Sequence, residues 1–147
     1  KKNFKLFIIG YGSQYHRLIE QIKKYKLENE IKIFTKFKNP NFIIKKAKLF
    51  ILSSRYEGFG NVLIEAGKNK IPIISSNCPH GPNEILNNGK FGDLFQVRNS
   101  NHLSSKLQNF LDNPKKLKIK SDLFFKSLKR FDTKKIIKKY EHIFENI

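Results

Sequence analysis

The chain of 147 residues contains no tryptophan, no methionine and a single cysteine, and its prolines and glycines number five and eight. Each scarcity excludes something. One thiol, Cys78, can form neither an internal disulfide nor a zinc cluster, which points to a reducing, cytoplasmic compartment. So little glycine and proline excludes collagen-like and low-complexity organisation. The longest apolar stretches, Leu6–Ile9 and Leu49–Leu52, are too short to span a bilayer or to form the core of a signal peptide. Only four aspartates occur, Asp93, Asp112, Asp122 and Asp132. They are scattered, and no Asp-x-Asp pair is present to hold a metal.

What remains is an ordinary globular composition, 39% hydrophobic and 29% charged. The length predicts one domain, 1–147, able to bury roughly 70% of its unfolded surface without covalent staples. The missing methionine, with a strand-like run at the very start, leads us to expect a piece of a longer protein.

The formal net charge is +18, which invites a nucleic-acid reading. Yet 26 of the 30 basic residues are lysine and only four are arginine. Specific readers of phosphates and bases lean on arginine forks. Isoleucine and asparagine are also abundant, at 19 and 15, whereas alanine occurs twice. The favoured residues share A/T-rich codons, so base composition accounts for the bias, and a solvated basic surface is the simpler reading. Nucleic acid is not the expected partner.

Strands and helices alternate through the first two thirds. Strands are expected at Phe4–Ile9, Ile31–Phe34, Leu49–Ser53, Ile71–Ser75 and Asp93–Val97. Helices are expected at Gln14–Lys26, Asn41–Ala47, Asn61–Lys68 and Pro82–Asn87, then at about 101–111, 114–129 and 133–144. This order predicts an α/β fold, a Rossmann-like parallel sheet flanked by helices and closed by C-terminal helices. Such sheets bind ligands in the loops beyond the carboxyl ends of their strands.

Four of those loops carry candidates. Gly10-Tyr11-Gly12 follows a strand, but Tyr15 stands where a dinucleotide fingerprint has its third glycine. It reads first as a tight turn, with close approach to a ligand as the alternative. Ser53-Ser54-Arg55-Tyr56-Glu57-Gly58-Phe59-Gly60-Asn61-Val62-Leu63-Ile64-Glu65-Ala66 is the strongest segment. Backbone amides near Gly60–Val62 open a helix and make an anion site. Glu65, about one turn in, leans back toward that end and can accept from a ribose diol. Glu57 can accept from sugar hydroxyls. Read alone, the two carboxylates also allow a hydrolase pair, though a glutamate on a helix beside an anion site disfavours it. His80, in another strand-end loop, is either solvent-exposed or a donor to phosphate or sugar. His16, His102 and His142 are expected to be exposed on helices, and Cys78 to be a small buried loop residue.

Glu57-x7-Glu65, within Glu-Gly-Phe-Gly-Asn-Val-Leu-Ile-Glu-Ala, resembles the E-x7-E signature of glycosyltransferase family 4, retaining nucleotide-sugar enzymes of the GT-B fold. Leu6–Gly12, Lys48–Ser54 and the run Ile71–Leu86, with Pro79-His80-Gly81-Pro82-Asn83-Glu84-Ile85-Leu86, line up in order. Gly89 and Gly92 match the glycine pair that follows. The resemblance covers about residues 4–146 and implies roles residue by residue. Glu65 would hold the ribose hydroxyls, and Glu57 would contact the donor sugar as the catalytic carboxylate. The amides of Phe59, Gly60, Asn61 and Val62 would meet sugar and diphosphate. Gly10 and Gly12 would lie near the diphosphate. Lys36 and Phe37, in the stretch 35–37, would contact the base through their backbone. Glu84 would be a structural cap. Lys36 and Lys70 stand where the family often has glycine.

The same resemblance implies a first strand and an N-terminal acceptor domain preceding residue 1, so the chain alone is expected to be inactive. It implies a UDP-linked donor, no metal or other cofactor, a hexose or N-acetylhexosamine as the group moved, and a glycan or lipid-linked acceptor in cell-surface polysaccharide synthesis. Residues 114–140 hold eleven Lys and Arg against two Asp. Helices with basic outer faces explain this, and peripheral contact with an anionic membrane is the sharper reading. Two other functions stay open: a nucleotide- or phosphate-binding regulatory module without catalysis, and a basic nucleic-acid-binding domain.

Overall fold

The computed structural model describes residues 4–36, 39 and 41–145. The chain divides into two compact units, residues 1–42 and 43–147, and each is described by itself.

The first unit holds β1 (Leu6–Ile9), α1 (Tyr15–Lys24) and β2 (Ile31–Phe34). β1 and β2 pair in parallel, with Leu6 opposite Ile31 and Ile9 opposite Phe34. A parallel pair needs a crossover, and α1 supplies it. Its apolar stripe runs through Leu18, Ile19 and the buried Ile22. The helix stops two residues before the expected end, where Lys26 adopts a left-handed φ of 54°.

The short α2 (Asn41–Ile44) leads into the second unit, which holds β3 (Phe50–Leu52), α3 (Asn61–Lys68), β4 (Ile73–Ser76), α4 (Pro82–Ile85) and β5 (Asp93–Phe95). Then come α5 (Ser100–Asp112), α6 (Pro114–Ser127), a 3-10 turn at Leu128–Phe131 and α7 (Thr133–Phe144). The sheet order is β3-β4-β5, all parallel. The described strands thus form a two-stranded parallel sheet in the first unit and a three-stranded parallel sheet in the second, flanked by helices as expected. β4 starts at Ile73 and not at Ile71, because Pro72 has no N–H to give to a ladder; its carbonyl instead accepts from the Phe50 amide at 2.9 Å.

β4 is buried along its whole length. Neighbouring strand residues face opposite sides, so Ile73 and Ile74 anchor two cores. Ile73 packs with Leu52, Leu63, Ala66, Ile85 and Phe124. Ile74 packs with Phe95 and Leu117, flanked by Leu103, Leu107 and Phe110 of α5. α5 is capped by Asn99, which accepts from the His102 amide, and His102 Nδ1 accepts from the Gln96 amide at 3.2 Å. His102 is therefore half-buried rather than exposed as expected, since its ring closes the turn that enters α5. Asp132 caps α7 through the amides of Lys134 and Lys135.

Gly67 shows how tightly α3 meets α6. A Cβ there would sit 2.4 Å from Cε1 and 2.6 Å from Cδ1 of Phe124, whose side chain is fully buried. Gly67→Ala gains about 1 kcal/mol of helix propensity. It loses more, about 2–3 kcal/mol, by overpacking a ring that cannot step aside. We expect a net loss near 1–2 kcal/mol, read as a lower urea midpoint at unchanged slope; a midpoint above the parent's would contradict it.

Candidate donor site

Parallel strands place the loops after β3 and β4 at the same edge of the sheet, and the site grows from these two loops. The first, residues 53–60, ends at Gly60, which takes φ 95° and ψ 45° at the start of α3. Only glycine adopts that conformation without strain. Gly60 also brings no side chain to cap the helix. By helix geometry the amides of Asn61 and Val62, the first two of α3, have no intrahelical acceptor. Both residues are exposed, so an uncapped, partly positive helix end faces outward.

Glu65 lies in the second turn of α3 and is half-buried. Its carbonyl accepts from Asn69 Nδ2 at 2.8 Å. Glu57, also half-buried, is held from within its own loop: Ser54 Oγ donates to Glu57 Oε1 at 2.6 Å. Ser76, buried at the end of β4, donates from its hydroxyl to the Ser54 carbonyl at 2.7 Å.

The second loop locks against the first. Gly81 has φ 83° and ψ −70°, and a Cβ there would fall 1.7 Å from the Phe59 carbonyl oxygen. The Phe59 ring turns inward, edge-on to Phe131 with centroids 5.9 Å apart. Of Phe59, the backbone is thus what the loop can present. Cys78 is buried, as expected of a small loop residue, and His80 is exposed in a left-handed conformation (φ 61°).

Behind this loop Arg130 fastens α4. Its guanidinium donates to the carbonyls of Ile85 and Glu84 and stacks on Phe131 (4.5 Å) and Phe91 (5.3 Å). A cation on the last carbonyls of a helix suits its dipole. Burial lowers the Arg130 pKa from its ordinary value, against the opposing pull of Glu84. Glu84 is exposed in the first turn of α4, and the helix start at Gly81 has no side-chain cap. An open cleft of about 400 Å³ is lined by His80, Glu84, Asn87 and Arg130, among others, and by neither Glu57 nor Glu65.

The structure therefore brings Glu57, Phe59, Gly60, Asn61, Val62 and Glu65 together on one loop and helix. Gly10, Gly12 and Lys36 belong to the other unit, where all three are exposed. A Cβ at Gly10 or Gly12 would meet nothing within 4 Å. Phe37 lies outside the described residues. Ser54, Ser76 and the Gly81 contact were not singled out from the sequence. The only local signal was a serine three residues before Glu57. Among the described residues, no group of three or more His, Cys, Asp or Glu side chains could hold a metal ion, and no helix is long and apolar enough to cross a membrane.

Parallel α/β sheets flanked by helices are the architecture of GT-B glycosyltransferases. The model of the family "Glycosyl transferases group 1" matches residues 1–123, and the chain belongs to that family. It is 38% identical over 86 residues to the amylovoran biosynthesis glycosyltransferase AmsD of Erwinia amylovora, covering 58% of this chain and 24% of that protein. It is 30% identical over 136 residues to the N-acetylgalactosamine-N,N'-diacetylbacillosaminyl-diphospho-undecaprenol 4-alpha-N-acetylgalactosaminyltransferase of Campylobacter jejuni, covering 92% and 37%. The structure of Anabaena HepE in complex with UDP superimposes with a TM-score of 0.89 at 19% identity, over 100% of this chain and 42% of that one. The chain thus spans less than half the length of each of these proteins.

Proposed function

We propose that this chain is the donor-binding part of a retaining glycosyltransferase, which moves a hexose or N-acetylhexosamine from a UDP-linked sugar to a glycan or lipid-linked acceptor. The observation that carries this reading is the uncapped start of α3 with Glu57 before it and Glu65 after it. The helix amides of Asn61 and Val62 receive the diphosphate, and Glu65 accepts from the ribose hydroxyls. Glu57 accepts from the donor sugar. When the glycosidic bond breaks, negative charge grows on the departing nucleoside diphosphate. Amides already aimed at it stabilise that charge without reorganising. UDP is favoured because HepE was solved with UDP, as was a variant of S. aureus TarM. A surface-glycan role is favoured by the names of the relatives, which include amylovoran and O-antigen transferases.

The test is a titration of the full protein with UDP, UDP-glucose and UDP-N-acetylglucosamine, with and without EDTA. Saturable binding by UDP and at least one sugar nucleotide, unchanged by the chelator, is expected. A folded protein that binds none of them contradicts the proposal, and dependence on added divalent metal contradicts its metal-free form.

A further inference from the structure

A glutamate on a loop reaches one place reliably only if something holds it. Two serines do so here. The Ser54 hydroxyl commits its proton to Glu57 Oε1 at 2.6 Å. The carbonyl of the same serine is tied at 2.7 Å to Ser76 Oγ, on a residue only 1% exposed at the end of the central strand. A rigid strand is thus connected, through one peptide group and one hydroxyl, to a carboxylate at the sheet edge. Oε2 of Glu57 has no partner among the described residues, which leaves it for a ligand.

We propose that Ser54 and Ser76 are positioning residues that aim the Glu57 carboxylate at the sugar of the bound donor. This rests on the reading of Glu57 as the sugar contact. Ser76 fixes the Ser54 peptide to the core, and Ser54 occupies one carboxylate oxygen and fixes its rotamer. A glutamate ordered in advance spends no rotamer freedom when the sugar arrives. Neither serine touches the ligand in this scheme. Their effect therefore falls on the sugar and spares the nucleoside diphosphate, which binds through α3.

Two measurements on the full protein test this. The first needs no ligand: side-chain 13C NMR of Glu57 is expected to show one ordered rotamer in the parent and in Ser54→Thr, and averaging in Ser54→Ala. Equal order in all three overturns the proposal. The second is calorimetry with UDP and UDP-N-acetylglucosamine. Ser54→Ala is expected to weaken the sugar nucleotide about fivefold, the effect of one hydrogen bond, and to leave UDP unchanged. Ser76→Ala should give the same pattern more weakly, and Ser54→Thr should restore affinity. Equal loss for both ligands would mark a merely structural role and overturn the proposal. Glu57→Ala separates the two layers. If it leaves sugar-nucleotide affinity at the parental value, the sugar-contact reading fails and the proposal with it. If it weakens that affinity while Ser54→Ala does not, only the positioning role fails.

Discussion

Gly81→Ala is expected to be the most damaging small substitution in the second unit, costing on the order of 4 kcal/mol. Two costs add. The backbone at φ 83°, ψ −70° lies in the strained γ-turn region, which a residue with a Cβ occupies at about 1–3 kcal/mol. The new methyl would also fall 1.7 Å from the oxygen and 2.4 Å from the carbonyl carbon of Phe59. Those are backbone atoms and cannot rotate away, so about 1–3 kcal/mol of overpacking follows. Against a typical total of about 5–15 kcal/mol this is a large fraction. Urea denaturation reads it, with Gly58→Ala as the control, because a Cβ at Gly58 meets nothing within 4 Å. Matching midpoints for the two variants would refute the contact. Since Phe59 follows Glu57 by two residues, the damaged protein should also lose donor affinity beyond its loss of stability.

Glu65→Ala is expected to do the reverse: abolish most nucleotide affinity and leave the fold alone. The hydrogen bond recorded for Glu65 uses its carbonyl, which alanine keeps, and alanine is the better helix former. Two ribose hydroxyls donating to a carboxylate are each worth about 1.5–3 kcal/mol. A loss of about 3 kcal/mol corresponds to roughly a hundredfold weaker UDP binding. The pairing can be isolated with 2'-deoxyuridine diphosphate. It should bind the parent more weakly than UDP does, and bind Glu65→Ala no more weakly than UDP does. If the deoxy ligand loses as much affinity with the variant as with the parent, Glu65 is not the ribose acceptor. Unaltered UDP affinity in the variant would move the nucleotide away from α3 altogether.

Much of this protein was legible in its sequence because the relevant signals are local. β2 at Ile31–Phe34, α3 at Asn61–Lys68 and α7 at Thr133–Phe144 stand where apolar spacing and end signals predict them. The carboxylates Glu57 and Glu65 and the glycine between loop and helix were also readable, since nine consecutive positions of the chain hold them all. Element ends were less so. β4 loses Ile71 and Pro72 because a proline cannot donate to a ladder, and the helix expected to run to Lys129 yields to a 3-10 turn from Leu128.

What the sequence by itself determined is therefore the order of strands and helices, the family, and the segment on which donor binding is proposed. The tertiary structure alone decided what holds that segment in place. Ser76 reaches Ser54 across 22 positions, Gly81 presses on Phe59, and Arg130 ties down the end of α4 from 45 positions away. The reason is physical. Periodicity and capping act within a turn or two of chain, whereas these contacts exist only once parallel strands have brought distant loops to one edge of a sheet.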